Sequence, residues 1–550
     1  MTEPGHMAAF YKDETVWQRF CQTASTYPDQ PFLRYMPSVA KVYGIEAGDT
    51  SYQEMRQAAE GRADVLAAAG LRPGERIGLY LYNRPDFFVN WLAANSLGLS
   101  IVPINPDLRS AELTWLIDHS ELRLMIAAAA APPVLAEVCG KAGVPVIAAD
   151  GIPPSCASQA PLPPAPPAAS KTEAALLYTS GTTGLPKGCQ LSQEYFLYAG
   201  DWYVEMPPPW GLSQASEVMI TPLPLFHMNA LACSVMAMVS CAGCLVPLDR
   251  FHPSSWQADV RDSGATILHY LGVMPSILMQ LPESSDDRDH TVRFGFGAGV
   301  DRTLHARFEA RFGFPLLEAW AMTETGAGAC IAATDPDRRI GLNCFGRAEE
   351  TVEVLIQRED GQPAGRDEPG ELLVRRAGAD PHFGFFTAYY KNPEATEEAW
   401  QGGWFHTGDI VEQDADGFFY FRDRKKNIIR RSGENIAAIE VEAVLARHPD
   451  VAQLAVGPVA DDLRGDEVAC LVVPRNPDQD MQALFDALFA LASDQLAYYK
   501  APGWFARVDS LPLTGTQKVQ RGGLQKMLLE LAEQGALQDY RAGKKQQKPA

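Results

Sequence analysis

Along the first third of the chain, short apolar runs alternate with amphipathic stretches. Residues 76–82 form a short, largely apolar run that predicts a strand. Pro85 then opens a stretch with Phe87, Trp91 and Leu92 at helical spacing, and residues 100–104 predict a second strand. Strand–helix–strand is the repeating unit of layered α/β domains. Residues 122–131 and 144–149 continue the theme. A stretch rich in Pro, Ala and Ser at 151–170 reads as a surface linker, leading into a strand at 174–178.

Residues 228–248 carry no formal charge and are long enough to span a bilayer. They also contain Asn229, Ser234, Ser240, Gly243 and Pro247, with no cationic flank on the N-terminal side. A buried helix followed by a core strand is the expected structure. Near the C-terminus the pattern changes. Strand-like runs at 452–456 and 468–473 and a helical run at 481–496 predict a compact α+β unit. Just before it, six of the ten residues at 422–431 are basic. A boundary near Lys426 divides the chain into a large α/β domain, 1–425, of layered subdomains and a small α+β domain, 426–550.

Composition narrows the function. The chain has 550 residues, of which 46% are hydrophobic and 21% charged, as in ordinary globular proteins. A formal net charge of −21 argues against nucleic acid and anionic membranes as partners. The first residues lack the basic and apolar regions of a secretory signal. Ten cysteines are scattered along the chain. Cys241 and Cys244 have C-x-x-C spacing, but no second pair or histidine follows at zinc-ligand spacing. Reduced, packed thiols in a cytoplasmic protein are the expectation.

From Tyr178 to Gly188 the sequence reads Tyr-Thr-Ser-Gly-Thr-Thr-Gly-Leu-Pro-Lys-Gly. A strand ends in a loop bearing hydroxyls at Thr179, Ser180, Thr182 and Thr183, glycines at 181, 184 and 188, and Lys187. Glycines let backbone N–H groups approach anionic oxygens, hydroxyls add donors and the lysine adds a point charge. This composition suits a phosphate cradle, with a plain flexible turn as the alternative. It is not a Walker A loop, because Gly188 stands where that motif requires Ser or Thr.

The string resembles the signature loop of the superfamily of acyl- and aryl-CoA synthetases, peptide-synthetase adenylation domains and firefly luciferase. Further motifs similar to those of that superfamily follow in order over nearly the whole chain. Leu225-Phe226-His227-Met228-Asn229 resembles the segment lining the acyl site, with Phe226 and His227 at its wall. Gly297-Ala298-Gly299 resembles the small-residue loop between acyl group and adenine. Glu318 to Glu324 reads Glu-Ala-Trp-Ala-Met-Thr-Glu and resembles Y-G-M-T-E. The resemblance implies that Glu318, Ala319 and Trp320 flank adenine, Thr323 binds the α-phosphate and Glu324 binds Mg²⁺. Trp320 and Ala321 replace the usual Tyr and Gly, which keeps an aromatic face but alters the space near the acyl group.

Trp404 to Asp409 resembles W-x-x-T-G-D, which implies that Asp409 holds the ribose hydroxyls. In the basic segment, Arg424 aligns with an arginine that contacts ribose or phosphate and Lys426 with the hinge. Ser432 and Gly433 align with the path of the CoA arm. Pro512 to Val519 resembles the motif bearing the catalytic lysine, here Lys518, with Gln517 where many members have Gly.

The resemblance implies an ATP-dependent, AMP-forming acid–thiol ligase, with ATP, Mg²⁺ and coenzyme A alongside a small-molecule carboxylic acid. The carboxylate attacks the α-phosphorus, giving acyl-AMP and pyrophosphate. A CoA thiolate then takes the acyl group after the C-terminal domain rotates. No enzyme nucleophile is required, so Cys189 beside the loop needs no catalytic role. Transfer to a carrier protein, a luciferase-like oxygenase and a non-enzymatic adenylate binder are the alternatives. A homodimer remains open, and the acid is expected to be small to medium in size.

Overall fold

The computed structural model describes residues 11, 13–156, 169–179, 186–358, 360–424, 428–512, 519 and 521–546. Within the signature loop, residues 180–185 lie outside this set, as do Lys426 and Lys518. The chain separates into two compact units. One comprises Met1–Pro106, Ile117–Leu177 and Gly188–Asp423; the other comprises Arg424–Ala550 with Asp107–Leu116 and Tyr178–Lys187.

The first unit contains two large, mostly parallel sheets. The eight-stranded sheet runs in the order Ile331–Ala332, Leu316–Trp320, Phe294–Ala298, Ile267–Leu271, Val218–Thr221, Cys244–Pro247, Pro31–Tyr35 and Gly48–Ser51. Its inner pairs are parallel and its two edge strands antiparallel. The seven-stranded sheet runs Ala388–Tyr389, Lys187–Ser192, Glu173–Thr179, Ser100–Pro103, Arg76–Tyr80, Leu122–Ala127 and Val146–Ala148. Every residue of Ser100–Pro103 and of Cys244–Pro247 is buried. Continuous burial of this kind marks parallel strands covered on both faces, and it explains why these segments lack alternation.

Local chemistry sets the helix boundaries. Helix Pro85–Ser96 begins with proline, whose fixed φ suits the first helical turn, and it buries Phe87, Phe88, Trp91 and Leu92. The strand before it stops at Tyr80, short of the expected 82; Tyr82 has a φ of 52°, which ends the extended run. In the uncharged stretch, a π-helical turn at Asn229–Ser234 leads into helix Val235–Cys241, and strand Cys244–Pro247 follows. Among the described residues, no helix is long and apolar enough to cross a membrane. Burial pushes the thiols of Cys241 and Cys244 up to about 12, so both remain protonated. No group of three or more His, Cys, Asp or Glu among the described residues could hold a metal ion.

A five-stranded sheet completes this unit. Its Gly370–Arg376 strand runs antiparallel to both Val352–Gln357 and Phe405–Gln413, which fixes Asp409 within the last of these.

In the second unit, the long strands Val451–Asp461 and Gly465–Pro474 pair antiparallel over most of their length. Trp504–Arg507 adds to Gly465–Pro474 in parallel, and the hairpin Ile428–Arg431/Glu434–Ala437 joins the same strand antiparallel through Arg431 and Gly465. Both long strands exceed the expected runs, because hairpin pairing continues the extended backbone through polar residues such as Asp466 and Glu467. Helix Met481–Gln495 is capped by Asp480, whose carboxylate accepts from the N–H groups of Gln482 and Ala483. Its Leu484, Phe485 and Leu488 pack with Val441, Leu445, Val456, Val468 and Phe505.

Candidate active site

Three adjacent parallel strands end side by side on the eight-stranded sheet. Leu271 pairs with Ala298, and Gly297 with Glu318, so the turns after Ile267–Leu271, Phe294–Ala298 and Leu316–Trp320 share one edge. Carboxyl ends of parallel strands are where α/β sheets bind ligands. Close backbone packing here requires glycine. A Cβ on Gly272 would lie 1.7 Å from the Gly299 carbonyl oxygen, and one on Gly297 would lie 2.2 Å from that of Tyr270. Ala298 and Gly299 are exposed at this edge.

Glu318 builds this rim from beneath. The N–H groups of Gly299 and Val300 both donate to its Oε1 at 3.0 Å. Its carboxylate is buried, and burial raises its pKa while His305 and the two N–H donors oppose the rise. His305 leads outward to Glu309 at 3.1 Å, which Arg338 clamps at 2.6 Å. Burial would raise the Glu309 pKa, but hydrogen bonds from Arg338, His305 and Leu316 dominate and hold it at about 2. Glu318 therefore shapes the glycine loop directly. Ala319 is half-buried on the same strand, and Ala321 is exposed just beyond its end.

The indole Nε1–H of Trp320 donates to Asp409 Oδ2 at 2.8 Å. Trp320 packs near Phe345, which stacks on Phe419, so the aromatic side chain is backed by two further rings. Thr407 locks the Asp409 backbone: its Oγ1 accepts from the Asp409 N–H at 3.0 Å and donates to the Leu372 carbonyl at 2.7 Å. Two segments that are distant in the sequence thus meet at one carboxylate.

Thr323 and Glu324 follow on the same turn. The hydroxyl of buried Tyr195 donates to the Thr323 carbonyl at 2.9 Å. Glu324 is gripped twice from the segment around the strand Ala388–Tyr389. The Phe386 N–H donates to its carbonyl at 2.8 Å, and the Tyr389 hydroxyl donates to its carboxylate at 2.8 Å. Burial, then the Glu324 charge, pushes the Tyr389 hydroxyl far above the ordinary phenol range, so it remains a donor. Among the described residues no group of three or more His, Cys, Asp or Glu includes Glu324, and a lone carboxylate suits a hard cation that arrives bound to phosphates.

On the same sheet, Phe226 and His227 follow the strand Val218–Thr221. Their rings are 4.6 Å apart, and both residues are half-buried. Asn83 pins the loop that carries them. Its amide donates to the carbonyls of Leu223 and Leu248 and accepts from the Leu225 N–H. Behind the π-helical turn, His269 is fully buried between Tyr203 at 2.9 Å and Ser234 at 2.8 Å. Burial lowers its pKa to about 3, so this ring is neutral.

At the signature string, Thr179 ends one strand and Lys187 begins the next. The Thr179 hydroxyl lies 3.5 Å from the Lys187 carbonyl. The intervening Ser180, Gly181, Thr182, Thr183 and Gly184 lie outside the described residues. Arg424 closes the strand Phe419–Arg424. Ser432 and Gly433 form the two-residue turn between Arg431 and its partner Glu434, with φ of 52° and 88°. Positive φ at both centres is the signature of a type I′ hairpin turn, which supplies a second reason for Gly433 besides passage of a thin substrate arm. Both residues are exposed.

Asn83, Tyr195 and Tyr389 lie outside the strings read as motifs, and their bonds join residues tens to hundreds of positions apart. Only the adjacent pair of tyrosines at 389 and 390 hints at one of them in the sequence.

Comparison with known proteins agrees with this geometry. The family model of the AMP-binding enzyme matches residues 20–382, and that of the AMP-binding enzyme C-terminal domain matches residues 440–518. A sulfoacetate–CoA ligase of Cupriavidus necator is 34% identical over 90% of this chain and 95% of its own length. A crotonobetaine/carnitine–CoA ligase of Escherichia coli is 29% identical over 86% of this chain and 92% of its own. Among solved structures, a double mutant of o-succinylbenzoate CoA synthetase from Bacillus subtilis, bound with a product analogue, superposes with a TM-score of 0.78. It is 24% identical, and the match covers 93% of this chain and 98% of that one. The glycine rim, the paired Trp320 and Asp409 and the Thr323–Glu324 turn lie within a chain that belongs to the AMP-binding enzyme family.

Proposed function

We infer that this protein is an ATP-dependent, AMP-forming acid–thiol ligase that converts a carboxylic acid first to its acyl-adenylate and then to its CoA thioester. The observation that carries this reading is the convergence at one sheet edge. A glycine rim, an aromatic side chain bonded to a buried aspartate and an adjacent threonine–glutamate pair meet there. Relatives named as CoA ligases over nearly the full chain support CoA as the acceptor.

In the first step, the substrate carboxylate attacks the α-phosphorus of ATP and pyrophosphate leaves. Adenine lies along Gly297–Gly299 and the Trp320 ring, and Asp409 accepts from ribose hydroxyls. The Thr323 hydroxyl donates to the α-phosphate. Glu324, with the ATP phosphates, would hold Mg²⁺, which supplies charge neutralisation. Lys518 bridges the carboxylate and α-phosphate, and the 179–187 loop cradles the remaining phosphates. In the second step, the CoA thiolate attacks the adenylate carbonyl along the Ser432–Gly433 turn, and AMP leaves with the bonding electrons of the broken C–O bond. The catalytic unit is 1–425 and the lysine-bearing unit 426–550, with Lys426 at the hinge.

Phe226, His227, Gly299 and Ala321 border the acyl site. Ala321, where the resembled motif carries Gly, adds a methyl group beside this site, which suits a small to medium acid. The ten cysteines, none of them joined in a disulfide among the described residues, fit a reducing cytoplasm.

A pyrophosphate-release screen tests the reading. Short, medium, long, aromatic, betaine-type and sulfonated acids are supplied with and without CoA. Acid-dependent release that yields acyl-CoA only when CoA is present supports it. Release without thioester formation for every active acid would redirect the acyl group to a carrier protein, and oxygen uptake would indicate an oxygenase.

A further inference from the structure

The hydroxyl of Tyr389 donates to Glu324 Oε1 at 2.8 Å, and no motif accounts for that tyrosine. Its position is fixed on every side. The Tyr389 N–H donates to Thr396 Oγ1 at 3.0 Å, its backbone pairs with Cys189, and its ring meets Phe386 edge-on at 4.7 Å. The next two residues anchor the strand from the other side. The Tyr390 hydroxyl donates to Glu121, Arg76 lies 3.8 Å above the Tyr390 ring, and Lys391 pairs with Glu121 at 2.9 Å and donates to the His119 carbonyl at 3.0 Å. Phe386, from the same segment, also holds the Glu324 backbone. The edge strand and the residues just before it thus hold Glu324 at both its carboxylate, through Tyr389, and its backbone carbonyl, through Phe386.

The same strand pairs with Lys187–Ser192, which emerges from the signature loop. Cys189, opposite Tyr389, is two residues beyond Lys187. The scaffold that leaves the phosphate loop is thus directly hydrogen-bonded to the scaffold that orients Glu324. A carboxylate with one oxygen held by a rigid phenol presents the other in a fixed direction. Outer hydrogen bonds of this kind orient ligating groups and tune their affinity for metals.

We propose that Tyr389 is a positioning residue that holds the Glu324 carboxylate in the orientation that binds the divalent cation arriving with ATP. The proposal rests on Glu324 being a ligand of that cation, and the experiment separates the two. The full chain and its variants Y389F, E324Q, Y390F and the double variant E324Q/Y389F are titrated with Mn²⁺ in the presence of a non-hydrolysable α,β-methylene ATP analogue. Bound Mn²⁺ is read by electron paramagnetic resonance. In parallel, the Mg²⁺ dependence of ATP–pyrophosphate exchange and the KM for the acid are measured.

Y389F weakens Mn²⁺ binding about 10-fold. It raises the Mg²⁺ needed for half-maximal exchange by the same factor and leaves the KM for the acid unchanged. Y390F, which removes the neighbouring hydroxyl, weakens Mn²⁺ binding less than Y389F, because Arg76 over the ring and the Lys391 contacts still anchor the strand. In the E324Q background, Y389F has no further effect. Wild-type Mn²⁺ affinity in Y389F with weakened affinity in E324Q overturns the positioning role alone. Unchanged affinity in E324Q overturns the assignment of Glu324 itself. An additional loss in E324Q/Y389F over E324Q overturns the proposal even where the single variant folds poorly, because the uncharged pair leaves no buried carboxylate unpartnered.

Discussion

The Trp320 indole and the Asp409 carboxylate, 89 residues apart, share a 2.8 Å hydrogen bond, and both residues are buried, at 6% and 1% exposure. The ring proposed to flank adenine thus also orients the group proposed to hold the ribose. Base and sugar recognition become one unit, and substitution at either residue should disturb both.

Trp320→Phe keeps an aromatic face but removes the donor. A hydrogen bond to a charged group contributes about 1.5–3 kcal/mol. The KM for ATP is expected to rise by roughly 10-fold or more, and discrimination between ATP and 2′-deoxy-ATP to shrink. Steady-state kinetics with both nucleotides checks this. Unchanged discrimination would separate Trp320 from ribose recognition.

Glu318 accepts from the exposed Gly299 N–H and the buried Val300 N–H, so Glu318→Ala should cost about 1–3 kcal/mol in unfolding free energy, chiefly by orphaning the second. Glu318→Gln keeps an acceptor and should cost less. The pH dependence has a definite sign. Burial raises the folded-state pKa above the ordinary value of 4.5, so the folded protein holds this proton more tightly than the unfolded chain. The associated stability is present below about 4.5 and is lost as pH rises through the raised folded value. Denaturation curves from pH 4 upward should therefore move in favour of Glu318→Gln relative to the parent chain.

In the second unit, Glu467 is fully buried between Arg431 at 2.8 Å and Lys544 at 2.5 Å. Removing the one anion leaves the buried Arg431 guanidinium without its partner and the Lys544 amine without the group that favours its charged form, so Glu467→Gln should destabilise by roughly 3–5 kcal/mol. Burial and Arg431 hold the Lys544 pKa down to about 7, against an ordinary 10.5. The unfolded chain thus binds more protons between these values, and stability should rise as pH increases from about 7 towards 10.5. Lys544→Met should flatten that slope in chemical denaturation across the same range.

Gly433 has φ of 88° in a two-residue turn, where a Cβ is strained. Gly433→Ala should lower thioester formation from supplied acyl-AMP while sparing ATP–pyrophosphate exchange. Lys518→Ala should do the reverse, cutting exchange by roughly 10²–10³-fold, the effect of losing one aimed donor. Measuring the two half-reactions separately checks both. Equal losses in both half-reactions would remove the division of labour between these residues.

The strand–helix–strand rhythm and the order of motifs could be read from the sequence because both are local patterns. The stretch 228–248 shows the limit. Its apolar character predicted a buried helix and strand, and both are present. The π-helical turn at Asn229–Ser234 was not visible, since an altered hydrogen-bond step leaves no periodic trace in six residues. Gly433 was read as clearance for a passing substrate; the requirement of the hairpin itself, seen in its φ and that of Ser432, was not visible in the sequence. Tyr389 and Asn83 escaped notice for a different reason. Each acts through side-chain bonds across more than 60 residues, and only the folded sheet brings those partners together.

The central claim is that the acid's own oxygen attacks the α-phosphorus of ATP. The most direct test uses an active acid labelled with heavy oxygen in its carboxylate, with ATP and CoA, and analyses the nucleotide product by mass spectrometry. The account predicts AMP and pyrophosphate, with a single labelled oxygen in each AMP formed. Unlabelled AMP, or ADP and phosphate as products, would contradict it.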